Sequence, residues 1–194
     1  MFVGRLLLNR KVASGAFNEA CEVAGHTLES IEDKNRGYEM TTRVSPIGVD
    51  VERLEAELRP LQMDMIALAL QGKQLHWNLQ GRQFMSLHLQ LDTIVADART
   101  WADELAERLV TLGVWADGQP GDVARENRLE GLPGGAVSDS QALSLITERV
   151  SKLAGSVREV ANNLGGVDIG SQDLCLDILR NLEKHAWMLR AQQA

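Results

Sequence analysis

From Asp50 onward, apolar positions recur along this chain at intervals of three, four and seven. Leu54, Leu58, Leu61, Met65, Leu68 and Leu75 form the first such series, the spacing that lines one face of an α-helix. Asp50 is placed to cap this helix, which is predicted to run from Val51 to about Asn78 and to stop near Gly81. Pro60 falls inside it and is expected to bend it or to mark an early break, because the prolyl ring clashes with the preceding turn. A second helix is predicted from about Gln83 to Leu112, closed by Gly113, the residue type that takes a left-handed conformation most cheaply. Ser138-Asp139-Ser140 opens a third helix, running to about Leu164 and closed by Gly165-Gly166. A fourth is predicted from about Gly170 to the C-terminus, with Leu174, Ile178, Leu182 and Trp187 on one side.

Between the second and third helices lie 25 residues that contain Gly118, Pro120, Gly121, Gly131, Pro133, Gly134 and Gly135. Only Asp122 to Arg128 has the composition for one or two helical turns. A connection of this length inside a compact domain is unusual and often functional. Two long helices, a long crossover with a short helix, and two further long helices make an all-α chain. A four-helix bundle with one long crossover is the ferritin-like arrangement.

Composition narrows the picture. The 194 residues suffice for one domain, or one domain with an appendage, and for a sizeable core. Aromatics are few (Phe 3, Trp 4, Tyr 1) while Leu and Ala abound, which favours helix packed on helix. No apolar run approaches the roughly 20 residues needed to span a bilayer. A net charge of -7 argues against a body built to embrace nucleic acid. Cys21 and Cys175 lack metal-ligand spacing and read as two free thiols of a reducing cytosol.

Residues 1–39 do not share the helical patterning. Leu6-Leu7-Leu8, flanked by Arg5, Arg10 and Lys11, is too short for the apolar core of a signal peptide. Met40-Thr41-Thr42-Arg43-Val44-Ser45-Pro46 reads like an ordinary protein start. The expected organisation is therefore an extension over 1–39, disordered or an over-extended gene call, followed by one domain over 40–194. The rival reading is a flexible basic arm, but residues 1–39 hold five basic and six acidic side chains and are not net basic.

The candidate chemistry sits at the junction of the first two helices. His76, His88, Asp92, Asp103 and Glu107 fall within 32 residues. His88 and Asp92 are four apart and share a helix face, and Asp103 and Glu107 repeat that spacing. The eleven residues from Asp92 to Asp103 turn through about 1100°, which returns to nearly the same face, but they also rise ~16 Å. Metal–ligand bonds are about 2 Å long, so both pairs cannot grip one ion within one straight helix. Either they serve two sites, or the stripe meets a second copy of itself across a two-fold axis. His76, at the end of the first helix, would complete the nitrogen side. Imidazole and carboxylate without thiolate suit iron, manganese or zinc. The plainer alternative is a solvated helix face carrying ordinary charges. Two of the three histidines beyond Met40 at ligand spacing weigh against it.

The run His76-Trp77-x-Leu79-x-Gly81, with Leu87-His88-x3-Asp92, resembles the first signature of the Dps family, the starvation-induced mini-ferritins. Asp103-x-Leu105-Ala106-Glu107-Arg108-x3-Leu112-Gly113-x2-Ala116 is similar to the second. Ala102 departs from it, standing where a larger apolar residue is usual, at a packing position. The resemblance covers Met40 to the C-terminus and leaves out residues 1–39.

The resemblance implies a ferritin-like bundle assembled from two-fold dimers into a hollow dodecamer, a homo-oligomer with a ferroxidase centre between subunits. His76, His88 and Asp92 of one chain would act with Asp103 and Glu107 of the other, as catalytic residues and as iron ligands. The Glu-x-x-His motif of intrasubunit di-iron ferritins occurs nowhere in the chain. The implied activity is Fe²⁺ oxidation, preferably by hydrogen peroxide, with ferric mineral stored in the cavity, no organic cofactor, and protection against oxidative damage. The implied location is the cytoplasm, in or near the nucleoid, with no membrane partner.

Trp77, next to His76, is either a sink for stray oxidising equivalents or a packing residue at the dimer interface. Asp168, Asp173 and Asp177 stand where similar proteins line an iron-entry pore. Alternatively, Asp168 and Asp173 are simply charges that complement a helix N-terminus. His185 has no ligand at four-spacing and reads as structural. The competing function is a nucleoid-associated protein that binds and shields DNA with little iron oxidation. Members that compact DNA carry Lys/Arg-rich tails. Here the C-terminus is Arg190-Ala191-Gln192-Gln193-Ala194, and only Arg43 lies between Met40 and Asp50, so DNA binding is expected to be weak.

Overall fold

The computed structural model describes residues 48–193. The proposed extension, the start at Met40, Cys21 and the cluster Arg5, Arg10 and Lys11 all lie outside the described residues. Helix α1 spans Val51–Asn78, α2 Phe84–Thr111, the short α3 Pro120–Glu126, α4 Asp139–Asn163 and α5 Ile169–Arg190. The fold is all-α and ferritin-like, as the helical periodicity implied.

Capping explains most of the boundaries. The Asp50 carboxylate accepts from the Arg53 amide at 3.1 Å, and Ser138 Oγ accepts from the Gln141 amide at 3.3 Å. Each supplies an acceptor to a helix N-terminus that lacks one of its own. Gly113 takes φ +88° just past α2, as the Gly-closure argument requires. Leu54, Leu58, Leu61, Met65, Leu68 and Leu75 are all fully buried.

Two expectations need correction. The early break at Pro60 does not occur, since α1 runs unbroken through it. Proline forfeits one hydrogen bond, but Leu58 and Leu61 on either side are fully buried, and that packing outweighs the loss. Trp187 does not share the buried side of α5: it is exposed, and the buried row runs Ile178, Leu182, His185, Ala186 and Leu189. The five-residue step from Leu182 to Trp187 turns about 500°, some 140° off the seam.

Partner residues reveal how the helices run. Gln71 pairs with Arg149 and Arg53 with Asn163, so α1 and α4 are antiparallel. Arg108 pairs with Asp168, Asp97 with His185 and Gln90 with Gln192, so α2 and α5 are antiparallel too. With short turns joining α1 to α2 and α4 to α5, α2 and α4 run parallel. The connection between them must therefore travel the length of the bundle, and this explains the long crossover.

The crossover follows α1 in the same direction. Arg59 meets Asp117 and Glu126. The fully buried Asp64 accepts from the backbone amide and from the guanidinium Nε and Nη2 of Arg128, at 2.6–2.8 Å. The buried Arg149 guanidinium then donates to the Glu130 carbonyl at 3.1 Å. Burial lowers the Arg149 pKa from its ordinary value, an effect that Glu148 and Glu130 only partly oppose. Cys175 is a free, buried thiol whose pKa is pushed up to about 12, chiefly by burial and then by Glu57. It is inert as a nucleophile at neutral pH.

The crossover ends beside the α1–α2 turn in a feature without a sequence signal. Leu79–Gln80 (β1) and Val137–Ser138 (β2) form a two-residue parallel bridge. Next to it the Asp139 carboxylate accepts from the Gln83 amide at 3.0 Å and from the Ser140 amide at 2.8 Å. These backbone donors, Gln83 first, hold its pKa below the usual carboxylate range. Gly81 lies against this carboxylate with φ +140°, and a Cβ there would sit 2.2 Å from Asp139 Oδ2. Gly81→Ala is therefore expected to destabilise the fold by about 2 kcal/mol or more, from backbone strain and loss of the Asp139 contacts. Thermal unfolding measured by circular dichroism checks this, and an unchanged midpoint would refute the steric argument.

Candidate metal centre

The turn between α1 and α2 folds the chain back so that the last turn of one helix faces the first turns of the next. His76 and His88, twelve residues apart, become stacked rings with centroids 3.6 Å apart and planes inclined by 22°. Each ring bonds to the other's backbone: His76 Nδ1 lies 3.2 Å from the His88 carbonyl, and His88 Nδ1 lies 3.2 Å from the His76 carbonyl. A carbonyl oxygen only accepts, so each Nδ1 carries a hydrogen. In neutral imidazoles this leaves the lone pair on Nε2, and neither Nε2 has a hydrogen-bond partner among the described residues. Orientation of a ligating imidazole by an Nδ1–H bond to a carbonyl is the usual support for a metal-binding histidine. The His76 carbonyl belongs to the last turn of α1, which has no helical donor left for it, so the same bond caps the helix.

Asp92, one turn along α2 from His88, completes a group of three. Its Oδ1 accepts from the Lys73 ammonium and lies 3.3 Å from His76 Nδ1. One ligand atom each from His76, His88 and Asp92 all lie within 4.8 Å of one another. The Lys73 hydrogen bond, assisted by the charges of His76, Lys73 and His88, holds the Asp92 pKa below its ordinary value. The Phe84 ring packs on His88 with centroids 4.8 Å apart. Lys73 is a member of this cluster that the pattern of histidines and carboxylates did not flag. Its place three residues before His76, on the same face of α1, was the available signal.

Asp103 and Glu107 are not brought to this cluster within the chain. Both are exposed, further along the α2 stripe. Beside them Glu104 has a raised pKa, from burial and then from the negative charges of Asp177, Asp103 and Glu107. A groove of about 480 Å³ runs between α1 and α2, lined by Ile66, Leu70, Trp77 and Ala102 with Lys73 and Asp103 among its polar members. Leu70 and Trp77 are 63% and 71% exposed there. Ala102, the residue that departs from the family's signature, forms part of the groove wall.

The three aspartates at the start of α5 separate by environment. Asp168 is buried and caps α5, accepting from the Ser171 amide at 2.9 Å and from Arg108 at 2.6 Å. Asp173 and Asp177 are exposed, the latter accepting from Arg180 at 2.7 Å. His185 is buried, with Nε2 2.7 Å from Asp97 and its ring edge-on to Trp101, in a packing and hydrogen-bonding position.

The comparisons with known proteins identify the family. The ferritin-like domain model matches residues 55–194. The fine tangled pili major subunit of Haemophilus ducreyi is 37% identical over 88% of this chain and 89% of its own length. Its match is longer than the stretch from Met40 to the C-terminus, so it includes part of residues 1–39. The DNA protection during starvation protein of Agrobacterium fabrum is 33% identical over 66% of this chain and 79% of its own. This chain belongs to the Dps branch of the ferritin-like family. A solved Dps structure from Vibrio cholerae O1 superposes with a TM-score of 0.73 at 25% identity, covering 79% of this chain and 99% of that one. It is described as a member of a broad superfamily of ferritin-like diiron-carboxylate proteins.

Asp168 yields a stability test. Burial pushes its carboxyl up, but hydrogen bonds from Ser171 and the Arg108 guanidinium more than reverse this, leaving its pKa lowered. A depressed folded pKa means that the contribution is present above the unfolded value near 3.8 and is lost as pH falls through the folded value. Asp168→Asn is expected to cost about 1–2 kcal/mol at neutral pH, with the deficit shrinking in acid, whereas Asp173→Asn is near neutral. Denaturant unfolding at several pH values checks both. A deficit for Asp168→Asn that persists in strong acid would refute the charge-based account.

Proposed function

We propose that this Dps-family chain is a ferroxidase and iron store, which oxidises Fe²⁺ at sites shared between two copies of itself. The observation that carries the reading is the convergence of His76, His88 and Asp92 with both imidazole Nε2 atoms left for a ligand. Three protein ligands leave coordination positions open for an oxidant and for a second iron. Imidazole and carboxylate hold Fe²⁺ without the grip of thiolate, so oxidised product is not trapped.

The second half of each site comes from Asp103 and Glu107 of another copy. Those carboxylates lie along the stripe beyond the reach of the first cluster, and the apolar groove with Leu70 and Trp77 lies beside both groups. An isologous contact over that groove pairs each cluster with the partner's carboxylates and generates two identical sites. Such dimers would build the hollow dodecamer. Two Fe²⁺ give one electron each to one hydrogen peroxide, whose O–O bond breaks; with two protons, two waters form and no hydroxyl radical is released. Trp77 would pack in this interface or take a stray oxidising equivalent. Asp173 and Asp177 are the exposed carboxylates suited to an iron-entry pore, with Asp168 behind them as the helix cap.

DNA shielding is the second reading, favoured by the name of the Agrobacterium fabrum relative, a DNA protection during starvation protein. The Haemophilus ducreyi relative is named as a major subunit of pili. Neither role requires stacked, Nδ1-tethered histidines beside a carboxylate, and the cluster supports the reading of iron oxidation. Among the described residues, no helix is long and apolar enough to cross a membrane, and a cytoplasmic, nucleoid-proximal location is part of the proposal.

Complementation tests the shared site. His88→Ala and Glu107→Ala chains are each expected to oxidise iron poorly as homo-oligomers. In a mixed dimer one site carries both defects and the other carries none, so co-assembled chains are expected to approach half of wild-type activity. No recovery, with co-assembly confirmed by native mass spectrometry, would remove the shared-site model.

The net charge of -7 predicts weak DNA binding at neutral pH, since stable binding needs several cationic contacts. A gel shift at physiological salt measures this. A tight complex that dissociates steeply as salt rises would favour the DNA-shielding reading.

A further inference from the structure

Lys73 stands out because it places a fixed positive charge where a cation is meant to bind. It lies on α1 one turn before His76, with 23% of its side chain exposed, and its ammonium contacts Asp92 Oδ1. The same oxygen lies 3.3 Å from His76 Nδ1. The ammonium is thus the hydrogen-bond donor on Oδ1, while Asp92 Oδ2 has no hydrogen-bond partner among the described residues. Lys73 also lines the groove that holds Asp103, so its charge borders both halves of the proposed site.

We propose that Lys73 is a built-in surrogate cation of the metal centre: by occupying one oxygen of Asp92 it restricts that ligand to the other and weakens divalent-ion binding. This rests on the reading of His76, His88 and Asp92 as metal ligands. Without a metal, the ammonium neutralises the Asp92 carboxylate. With a divalent ion present, the ammonium and the ion share one carboxylate and repel each other at short range. A site of this kind binds its ion loosely, as suits a centre that must pass its product on to a store. A plain α1–α2 clamp would behave differently: its removal would loosen the ligand cluster and weaken binding or leave it unchanged.

The experiment is equilibrium binding of Co²⁺ and Zn²⁺ to the full-length assembled protein, with visible absorption of Co²⁺ as the signature of the site. Lys73→Gln and Lys73→Met, two neutral replacements, are expected to bind each ion at least about tenfold more tightly than wild type, with an altered Co²⁺ spectrum as Asp92 gains a free oxygen. Lys73→Arg, which keeps the charge, is expected to retain wild-type affinity. His88→Ala is expected to lose the binding. If His88→Ala abolishes binding but the neutral variants bind no more tightly than wild type, the role of Lys73 is overturned and the metal centre stands. If His88→Ala binds like wild type, the metal centre is overturned, and the role of Lys73 with it.

Discussion

The candidate site depends on one constraint, the tight return of the chain between α1 and α2. Imidazoles twelve residues apart would be far from each other on a continuous helix. They stack because α1 ends at Asn78 and α2 begins at Phe84, and because each ring bonds to the other's backbone. The turn is held from outside the pair. Asp139, at the start of α4, accepts from the Gln83 amide, and the β1–β2 bridge ties Leu79 to Val137. Further along, Gly72 lets α1 approach α2, since a Cβ there would meet Val95 Cγ2 at 2.6 Å.

The crossover joins the rest of the bundle to that turn. Because α2 and α4 run parallel, the connection must traverse the bundle before α4 can begin, and it is fastened to α1 along the way. Asp64 illustrates the energetics: a fully buried carboxylate is costly to desolvate, and three hydrogen bonds from Arg128 compensate it. These ion pairs make the path of the crossover unique and deliver Asp139 to the α1–α2 turn. The metal-binding geometry is thus supported by polar contacts drawn from a segment that contributes no ligand.

Charge at the site follows a single logic. Imidazole tautomers are set by carbonyl acceptors, the Asp92 carboxylate is kept ionised by Lys73, and Glu104 has its pKa raised by burial and then by the negative charges of Asp177, Asp103 and Glu107. An arrangement with more anionic than cationic groups at its exposed end is suited to attract cations. The apolar groove beside it, with Trp77 and Leu70 exposed, is suited to be covered. A cation site next to an apolar contact surface is the arrangement expected where assembly completes the ligand shell.

Much of this was legible in the chain itself. Helix positions followed from the three-and-four spacing of Leu54 to Leu75 and from caps at Asp50, Ser138 and Gly113, because these depend on local periodicity and local hydrogen bonding. The ligand types and the eleven-residue offset between Asp92 and Asp103 were likewise available from the regular rise of a helix. Tertiary structure decided what depends on contacts between distant segments. Pro60 did not break α1, since packing on both sides of it outweighs one lost hydrogen bond. Trp187 lies outside the α5 seam, since a step of five falls off the helical register that the other residues keep. Asp168 proved to be a buried cap paired with Arg108, a partner sixty residues away. Lys73 joined the site through an ion pair across nineteen residues. Sequence spacing encodes which residues share a face, but only the packed helices determine what that face meets.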